Sequence, residues 1–354
     1  MKILPLGLST RLSLAVWLFS LPLACPAQSY TVTDLGTLGG SESLASAINA
    51  SGQITGYAST SGDAAVHAFL YSNGRMTDLG TLGGPSSQGQ SINKFGEIVG
   101  YAQLPPVTVT GYHPHSASFY SAFAATSGSM APLTNFGGNF SVAYAVNDAG
   151  QVTGRAQNAS GTMFAFMCSN GIVTNLGNLG GTETPETNAI NASGEIVGYA
   201  YLPDGNFRGF FWINGKMTAL GTLGGDWSQA YGINNAGQIT GIAYTHGNLA
   251  AHAFLYSNGA MKDIGTLGST YSTGTSINTA GVIVGYAEVP SSSEYIVYHA
   301  FVYSGSKMQD LNKLIPSNSG WVLSQANGIN DSGQIVGYGT INGEQHGFLL
   351  TPKK

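Results

Sequence analysis

Charged side chains are scarce in this chain of 354 residues. Asp, Glu, Lys and Arg together make up 8% of it, against roughly 25% in a typical soluble protein. This scarcity argues against helices held by charged side-chain pairs. The formal net charge of −5 argues against a nucleic-acid groove, because phosphate binding depends on clustered Lys and Arg. We therefore expect no nucleic-acid partner.

Glycine and apolar residues are abundant instead. The chain holds 51 Gly, 43% of its residues are hydrophobic, and 10% are aromatic. This apolar content argues against disorder, which goes with low hydrophobicity and high charge. The glycines follow no Gly-X-Y period, so a collagen-like triple helix is excluded.

The first residues have the composition of an export signal. Lys2 and Arg11 form a short basic region, and an apolar run follows from residue 12 to residue 24. Cys25-Pro26-Ala27 places small residues at the −3 and −1 positions of a cleavage site. The apolar run is shorter than the roughly 20 residues of a membrane-spanning helix. We therefore expect cleavage after Ala27 and no integral membrane span.

The chain is accordingly divided into a signal peptide, residues 1–27, and one domain, residues 28–354, that is secreted or periplasmic. A lipoprotein attached at Cys25 is the alternative. Cleavage leaves Cys168 without a second cysteine, so no internal disulfide can form. Cys168 occupies a repeat position filled elsewhere by Tyr71 or Tyr256. This indicates a buried small hydrophobic residue rather than a nucleophile.

Internal repeats dominate the sequence. An element Asp-Leu-Gly-Thr-Leu-Gly-Gly is complete at residues 34–40 and 78–84, and five looser copies follow. An element His-Ala-Phe-Leu-Tyr-Ser-Asn-Gly is complete at residues 67–74 and 252–259, again with five looser copies. The pattern Ile/Val-Asn-x-x-Gly-x-Ile/Val-x-Gly occurs seven times, with its asparagines at Asn49, Asn93, Asn147, Asn191, Asn234, Asn278 and Asn330.

Each repeat supplies four short β segments, which in the first unit are residues 46–49, 53–59, 67–72 and 76–81. Asn-x-x-Gly predicts a three-residue hairpin with a left-handed Gly, and Ser-Asn-Gly predicts a tight turn. About 44 residues with four strands match one blade of a β-propeller. Seven copies therefore predict an all-β, seven-bladed propeller, with an open solenoid or parallel β-helix as the alternative.

The two ends of the repeat array predict how the ring closes. Residues 30–35 form a fourth-strand segment that precedes the first Asn turn, and residues 346–351 form a third-strand segment with no fourth strand behind it. We expect these two segments to pair in the last blade, because pairing removes an exposed sheet edge.

The repeat also resembles a known family. Residues 67–83 and 252–268, His-Ala-Phe-Leu-Tyr-Ser-Asn-Gly followed by x-Met-x-Asp-Leu/Ile-Gly-Thr-Leu-Gly, are similar to the HAF-type extracellular repeat proteins of bacteria. The resemblance covers residues 30–350 and implies a secreted bacterial protein, without an activity or catalytic residues to carry over. Blades two, three and four depart from it at the His position, with Ser121, Phe164 and Arg208.

Strand direction predicts which loops share a face of the ring. The Asn-x-x-Gly and Ser-Asn-Gly turns lie on one face, which we call the bottom. The remaining connections lie on the other face, the top, and vary widely among the copies. Insertions at residues 102–120 and 287–298 and a long connection at residues 312–325 enlarge the top. Variable loops on a rigid scaffold usually carry function.

The top loops are rich in acids and aromatic residues. Aromatic faces beside carboxylates suit sugar rings, although each residue taken alone is equally well explained by local packing or a solvated charge. The predicted ligand-binding residues are Tyr112, His113, His115, Asp226, Trp227, Tyr271, Glu288, Tyr295 and Trp321.

The repeat histidines His67, His252, His299 and His346 lie too far from the axis to share a metal, so we expect hydrogen bonds between blades from them. We expect no metal and no cofactor. His113-Pro114-His115 is the one pair close enough in sequence to share a metal or a proton.

The primary hypothesis is a secreted, non-catalytic, monomeric propeller that binds a glycan or an extracellular protein through its top face. A glycoside hydrolase for a neutral polysaccharide is the first alternative, with its acid and base drawn from Glu183, Glu186, Asp226, Glu288 and Glu294. A passive structural or adhesive protein is the second.

Overall fold

A computed structural model describes residues 29–109, 115–117, 119–126, 128–292 and 294–353. These residues form seven four-stranded antiparallel sheets and one two-stranded ribbon. Their helical content is confined to three 3₁₀ turns, Ser61–Asp63, His246–Asn248 and Leu311–Lys313. The predicted signal peptide lies outside the described residues.

The first three blades each use four strands in chain order. Blade 1 contains β2 (Gly39–Ile48), β3 (Ile54–Thr60), β4 (Val66–Ser72) and β5 (Arg75–Asp78). Blade 2 contains β6 (Ser87–Ile92), β7 (Ile98–Gln103), β10 (Tyr120–Thr126) and β11 (Ser129–Pro132), with a ribbon of β8 (Val107–Val109) and β9 (His115–Ala117) inserted. Blade 3 contains β12 (Ser141–Val146), β13 (Val152–Gln157), β14 (Met163–Ser169) and β15 (Ile172–Asn175).

Blades 4 to 6 repeat the same order. Blade 4 contains β16 (Glu186–Ile190), β17 (Ile196–Tyr201), β18 (Phe207–Ile213) and β19 (Lys216–Ala219). Blade 5 contains β20 (Gly224–Ile233), β21 (Ile239–Thr245), β22 (Ala251–Ser257) and β23 (Ala260–Asp263). Blade 6 contains β24 (Ser272–Ile277), β25 (Ile283–Glu288), β26 (Tyr298–Ser304) and β27 (Lys307–Asp310).

Blade 7 is built from both ends of the described chain. It contains β28 (Trp321–Ile329), β29 (Ile335–Ile341), β30 (Glu344–Pro352) and β1 (Tyr30–Asp34). β1 runs antiparallel to β30, with Val32 opposite Leu350. The predicted closure is confirmed. The fold is a seven-bladed β-propeller with four strands in each blade.

The turns follow the predicted chemistry. In blade 1, Gly52 has φ 80° and its N–H donates to the Asn49 carbonyl over 3.1 Å. Asn73 and Gly74 both have positive φ, 52° and 77°, as a type I′ turn requires. The inner strand of blade 1 is longer than predicted, because Gly39 still pairs with Thr60 at the top.

The core lies between the blades rather than at the axis. Each repeat contributes one phenylalanine from its third strand, and all seven are fully buried: Phe69, Phe123, Phe166, Phe210, Phe254, Phe301 and Phe348. Around Phe69, the cluster includes Ile54 of blade 1 and Val336 of blade 7. Cys168 is 4% exposed in the cluster around Phe166, as predicted. Burying one such aromatic ring contributes roughly 1.5–3 kcal/mol.

Every inner strand carries a β-bulge, and the second strand of each blade has a glycine opposite the residue that precedes the bulge. In blade 5, Ala230 opposes Gly241 and Gly232 opposes Thr240, so Tyr231 is the extra residue. A Cβ added at Gly241 would lie 1.9 Å from the Gln229 carbonyl oxygen. The last position of the Asn repeat therefore requires glycine, because the two backbones approach too closely for a Cβ.

We expect Gly241→Ala to lower the free energy of unfolding by about 3 kcal/mol or more, because the clash is with backbone that cannot move aside. Urea unfolding followed by fluorescence measures this. Gly221→Ala is the matched control, since Gly221 has nothing within 4 Å and no positive φ, and it should change stability by less than about 1 kcal/mol. Equal effects of the two variants would contradict the explanation.

Seven asparagines at the bottom of the axis form a closed circle of hydrogen bonds. The Asn147 Oδ1 accepts from the N–H groups of Ala149 and Gln151, each over 3.0 Å, and its Nδ2 donates to the carbonyl of Asn191 in the next blade over 2.9 Å. The corresponding Nδ2-to-carbonyl bonds, 2.9–3.2 Å long, link every pair of adjacent blades, including Asn330 to Asn49 across the closure. We call these residues the Asn ring.

We expect Asn147→Asp to destabilise the protein by about 2–3 kcal/mol, because a carboxylate oxygen then faces the Asn191 carbonyl instead of a donor. Chemical unfolding at pH 7 measures the change. Asn158→Asp is the matched control: its Oδ1 makes the same two turn bonds, to Ser160 and Thr162, but its amide donates to none of the described residues. Asn158→Asp should lower the free energy of unfolding much less. Similar losses for the two variants would contradict the stabilising role of the Asn ring.

Candidate functional site

The bulges of the inner strands place one side chain per blade around the axis. Each bulged residue stands three positions before the ring asparagine. These side chains line a cavity of about 390 Å³ at the top of the axis, which we call the axial funnel: Ser46, Gln90, Tyr144, Asn188, Tyr231, Thr275 and Asn327.

The funnel is polar and uncharged. The same cavity is also lined by Leu44, Tyr57, Gln88 and Gln325, and none of its described lining residues is ionic. Amides and hydroxyls can each donate and accept hydrogen bonds. The lining therefore suits a neutral ligand with many hydroxyl groups.

Tyrosines continue the lining outward on the second strands. Burial raises the pKa of Tyr57, Tyr101 and Tyr338, and nearby tyrosines raise that of Tyr57 and Tyr101 further. The Tyr101 hydroxyl donates to Gln88 over 2.7 Å, and Tyr338 donates to Gln325 over 3.2 Å. These phenols stay neutral at physiological pH and position the two amides.

An apolar ring closes the lower end of the funnel. The residue before each ring asparagine is Ile or Val, and the seven line the bottom cavity of about 240 Å³: Ile48, Ile92, Val146, Ile190, Ile233, Ile277 and Ile329. Four of them also line a cavity higher on the axis that includes bulged residues. The funnel thus ends on an apolar floor above the Asn ring.

The repeat breaks on one side of the funnel. Arg155 stands where most blades have Tyr, and its guanidinium forms an ion pair with Glu186 of blade 4. Burial raises the pKa of Glu186, while Arg155 and a hydrogen bond from Tyr144 oppose the shift. The Arg155 Nε is buried and makes no hydrogen bond to the residues that the structure describes. Because the guanidinium and the carboxylate carry opposite charges, the Arg155–Glu186 pair has no net charge.

A second cavity opens beside this break, between blades 2 and 3. Its volume is about 330 Å³, and its lining comprises Gln90, Tyr101, Tyr120, Phe140, Val142 and Tyr144. Tyr120 lies edge-on to Tyr101 and to Phe140, with ring centroids 5.8 and 6.3 Å apart. We call it the aromatic side cavity. Gln90 and Tyr144 also line the funnel, so the two cavities adjoin.

Trp227 and Asp226, two predicted ligand residues, lie at the top where blades 4 and 5 meet. The Trp227 ring lies between Phe207 and Tyr244, with centroids 5.2 and 4.3 Å away. The backbone N–H of the exposed Asp226 donates to the side-chain Oδ1 of Asn248 over 2.9 Å. Packing thus occupies much of the Trp227 ring that was predicted to contact a ligand.

Tyr271, also predicted, belongs to a cluster on blade 6. Its ring lies 6.0 Å from Tyr286 and 5.7 Å from Tyr298. Glu288 pairs with Tyr298 in the adjacent strands. Tyr286 occupies the same repeat position as Tyr57, which lines the funnel. The cluster on blade 6 therefore approaches the funnel from the side opposite the aromatic side cavity of blades 2 and 3.

The other predicted residues are dispersed. Tyr295 is 81% exposed on the blade 6 insertion. Trp321 is 8% exposed and packs edge-on against Phe348, so it fills the core of blade 7 and was wrongly expected to face a ligand. Tyr112 and His113 lie outside the described residues, and His115 is described only as part of β9.

The four repeat histidines form hydrogen bonds with the aspartates that begin copies of the Asp-Leu-Gly element. The Nδ1–Oδ distances are 2.9 Å for His67–Asp78, 2.8 Å for His252–Asp263, 3.0 Å for His299–Asp310 and 2.9 Å for His346–Asp34. The role is structural, but the bonds join strands within a blade rather than different blades. No group of three metal-ligating side chains occurs in the described part of the chain.

Reasoning from the sequence missed the axial funnel. The signal was present: the residue three positions before each ring asparagine is polar in all seven copies. Its importance depends on the bulge, which turns that side chain toward the axis and which the repeat pattern does not show.

Known proteins support the fold and leave the activity open. The family model of a protein of unknown function, DUF3466, matches residues 225–349, and no curated protein matches the chain. The β-propeller domain of the Trilobed protease from Pyrococcus furiosus, described as having an open velcro topology, is similar over 91% of this chain and 95% of its own, at 6% identity and TM-score 0.54.

Two other solved structures resemble the chain more weakly. The gluconolactonase XC5397 from Xanthomonas campestris shares 10% identity over 67% of this chain and 82% of its own, with TM-score 0.39. A Trypanosoma rangeli sialidase shares 7% identity over 91% of this chain and 55% of its own, with TM-score 0.38. Within the described ranges, no helix is long and apolar enough to cross a membrane.

We expect the stability contributed by Asp310 to disappear in acid. Burial disfavours its charge, but hydrogen bonds from His299 and the Asn312 N–H outweigh burial and lower the pKa. The ionised carboxylate therefore stabilises the fold above the unfolded pKa near 3.9, and this contribution is lost as the pH falls through the lower folded value. Asp310→Asn should be less stable than wild type at neutral pH, with a gap that shrinks below about pH 4. Urea unfolding across this range measures it, and a pH-independent gap would contradict it.

Proposed function

We propose that this protein is a non-catalytic sugar-binding propeller that holds a neutral saccharide in the axial funnel. The observation that carries the proposal is the convergence of seven bulged side chains on one uncharged cavity of about 390 Å³. That volume falls within the usual range of ligand pockets, roughly 300–1,000 Å³. Amide and hydroxyl groups on all sides match the hydroxyls of a sugar.

The aromatic clusters on the top face supply the second half of a sugar site. Pyranose rings present apolar CH faces, which aromatic rings accept. The Tyr271–Tyr286 cluster and the aromatic side cavity reach the funnel region on different sides. Longer saccharides would extend from the funnel over these aromatic residues.

Hydrolysis is less well supported. A glycoside hydrolase needs two carboxyl groups about 5–9 Å apart across the bond that is cleaved. None of the described residues that line the funnel carries a carboxylate. The Glu186 carboxylate, which lies beside the funnel, forms an ion pair with Arg155. A non-catalytic binding role therefore stays the primary proposal. If the protein binds no ligand, a passive adhesive role is favoured.

The proposal includes the cellular context given by the sequence. The export signal in residues 1–27 and the resemblance to HAF-type repeat proteins support a secreted or periplasmic bacterial protein. In that setting the domain is held by packing and the Asn ring rather than by a disulfide, since Cys168 is free.

The test is a glycan array with the purified protein, run beside a polysaccharide-release assay. We expect binding without release. Ser46→Phe should weaken binding at least about tenfold, because the new ring fills the funnel. Ser46 makes no hydrogen bond to described residues, so folding should tolerate the change at the open cavity.

Ser193→Phe is the matched control for Ser46→Phe. Ser193 lies in a bottom turn at the position where blade 2 has Phe95, which is 73% exposed, so the fold already accepts phenylalanine there. Its binding should equal that of wild type. Release of sugar, or undiminished binding by Ser46→Phe with a normal melting temperature, would overturn the proposal.

A further inference from the structure

The aromatic side cavity differs from the other aromatic clusters because it holds open space. Four of its six lining residues are aromatic, and Val142 adds a fifth apolar surface. Around Trp227, by contrast, Phe207 and Tyr244 pack against the indole itself. The side cavity is therefore built to receive a small apolar group from a ligand.

One amide in this cavity is available for a ligand. Gln88 and Gln325, its counterparts in the funnel, accept hydrogen bonds from Tyr101 and Tyr338. The half-buried Gln90 amide bonds to none of the residues that the structure describes. A carboxamide offers two N–H donors and one carbonyl acceptor, so its best complement is another amide.

Charge separates the two classes of ligand that aromatic cavities usually take. Aromatic cages bind quaternary ammonium groups through cation–π attraction. Here the Arg155 guanidinium already lies 5.6 Å from the centre of the Phe140 ring, and none of the described residues that line the cavity is ionic. A bound cation would therefore lose its hydration without gaining a counter-charge. A neutral group with a methyl end is favoured.

We propose that the aromatic side cavity binds the acetamido group of an N-acetylated sugar whose ring occupies the adjoining part of the axial funnel. The methyl group packs among Tyr101, Tyr120 and Phe140. The amide N–H and C=O pair with the Gln90 carboxamide, which lines both cavities. This inference rests on the proposed function and names its ligand class.

The test compares two trisaccharides by calorimetry with the full protein: tri-N-acetylchitotriose, and cellotriose, which has the same β-1,4 linkages but a hydroxyl in place of each acetamido group. We expect the acetylated sugar to bind at least about tenfold more tightly, since two hydrogen bonds and a buried methyl are added. In saturation-transfer NMR, the acetyl methyl should receive the strongest signal from the protein.

Two variants locate the effect. Gln90→Leu removes the amide at similar volume. It should weaken tri-N-acetylchitotriose by about tenfold and cellotriose by less than about threefold, because cellotriose loses one funnel contact and no acetamido pairing. Tyr120→Leu opens the aromatic wall and should reduce the methyl signal. Gln309→Leu, on the outer strand of blade 6 away from the funnel, is the control, and melting curves confirm that each variant folds.

The outcomes separate the two proposals. Equal binding of both trisaccharides, or equal loss of both in Gln90→Leu, would overturn the acetamido assignment while leaving the sugar-binding function in place. If neither trisaccharide nor any other glycan binds, the proposed function itself fails and this inference falls with it.

Discussion

The Asn ring is the constraint on which the whole molecule depends. Each asparagine shapes its own turn with its carbonyl oxygen and joins the next blade with its amide, so one side chain serves local and tertiary structure together. The ring is closed, since Asn330 donates to the carbonyl of Asn49. A buried donor that loses its acceptor costs more than an ordinary hydrogen bond gains. Opening one interface would therefore leave two ring partners unpaired, and seven separate sheets behave as one body.

The bulge connects this scaffold to function. It inserts one residue in each inner strand just above the apolar floor, and the facing glycine lets the backbone approach closely enough to accommodate it. The bulged side chain leaves the pleat and enters the axial funnel. Because the bulge is held by backbone, its side chain can vary from Ser46 to Tyr144 without disturbing the fold. The funnel can thus acquire specificity while the repeat stays intact.

Specificity arises where the seven copies differ. Arg155 and Glu186 interrupt the tyrosines on one side and form a neutral pair beside Phe140. The aromatic side cavity lies at that interruption, and its Gln90 amide is available because no tyrosine hydroxyl engages it. A symmetrical ring would present the same surface in every direction. The break gives the funnel one distinct side, against which a ligand can be oriented.

The sequence by itself determined the blade count, the turns and the pairing of residues 30–35 with the last blade, because these follow from local periodicity and turn chemistry repeated seven times. It could also assign a structural role to His67 and its counterparts from their distance to the axis. Only the tertiary structure decided which side chains share a cavity. Trp321 and Trp227 looked alike as loop aromatics, yet one is buried against Phe348 and the other lies at the top. Bulge geometry and contacts between blades, which depend on all seven sheets being in place, turn Ser46, Gln90 and Tyr144 toward a common space.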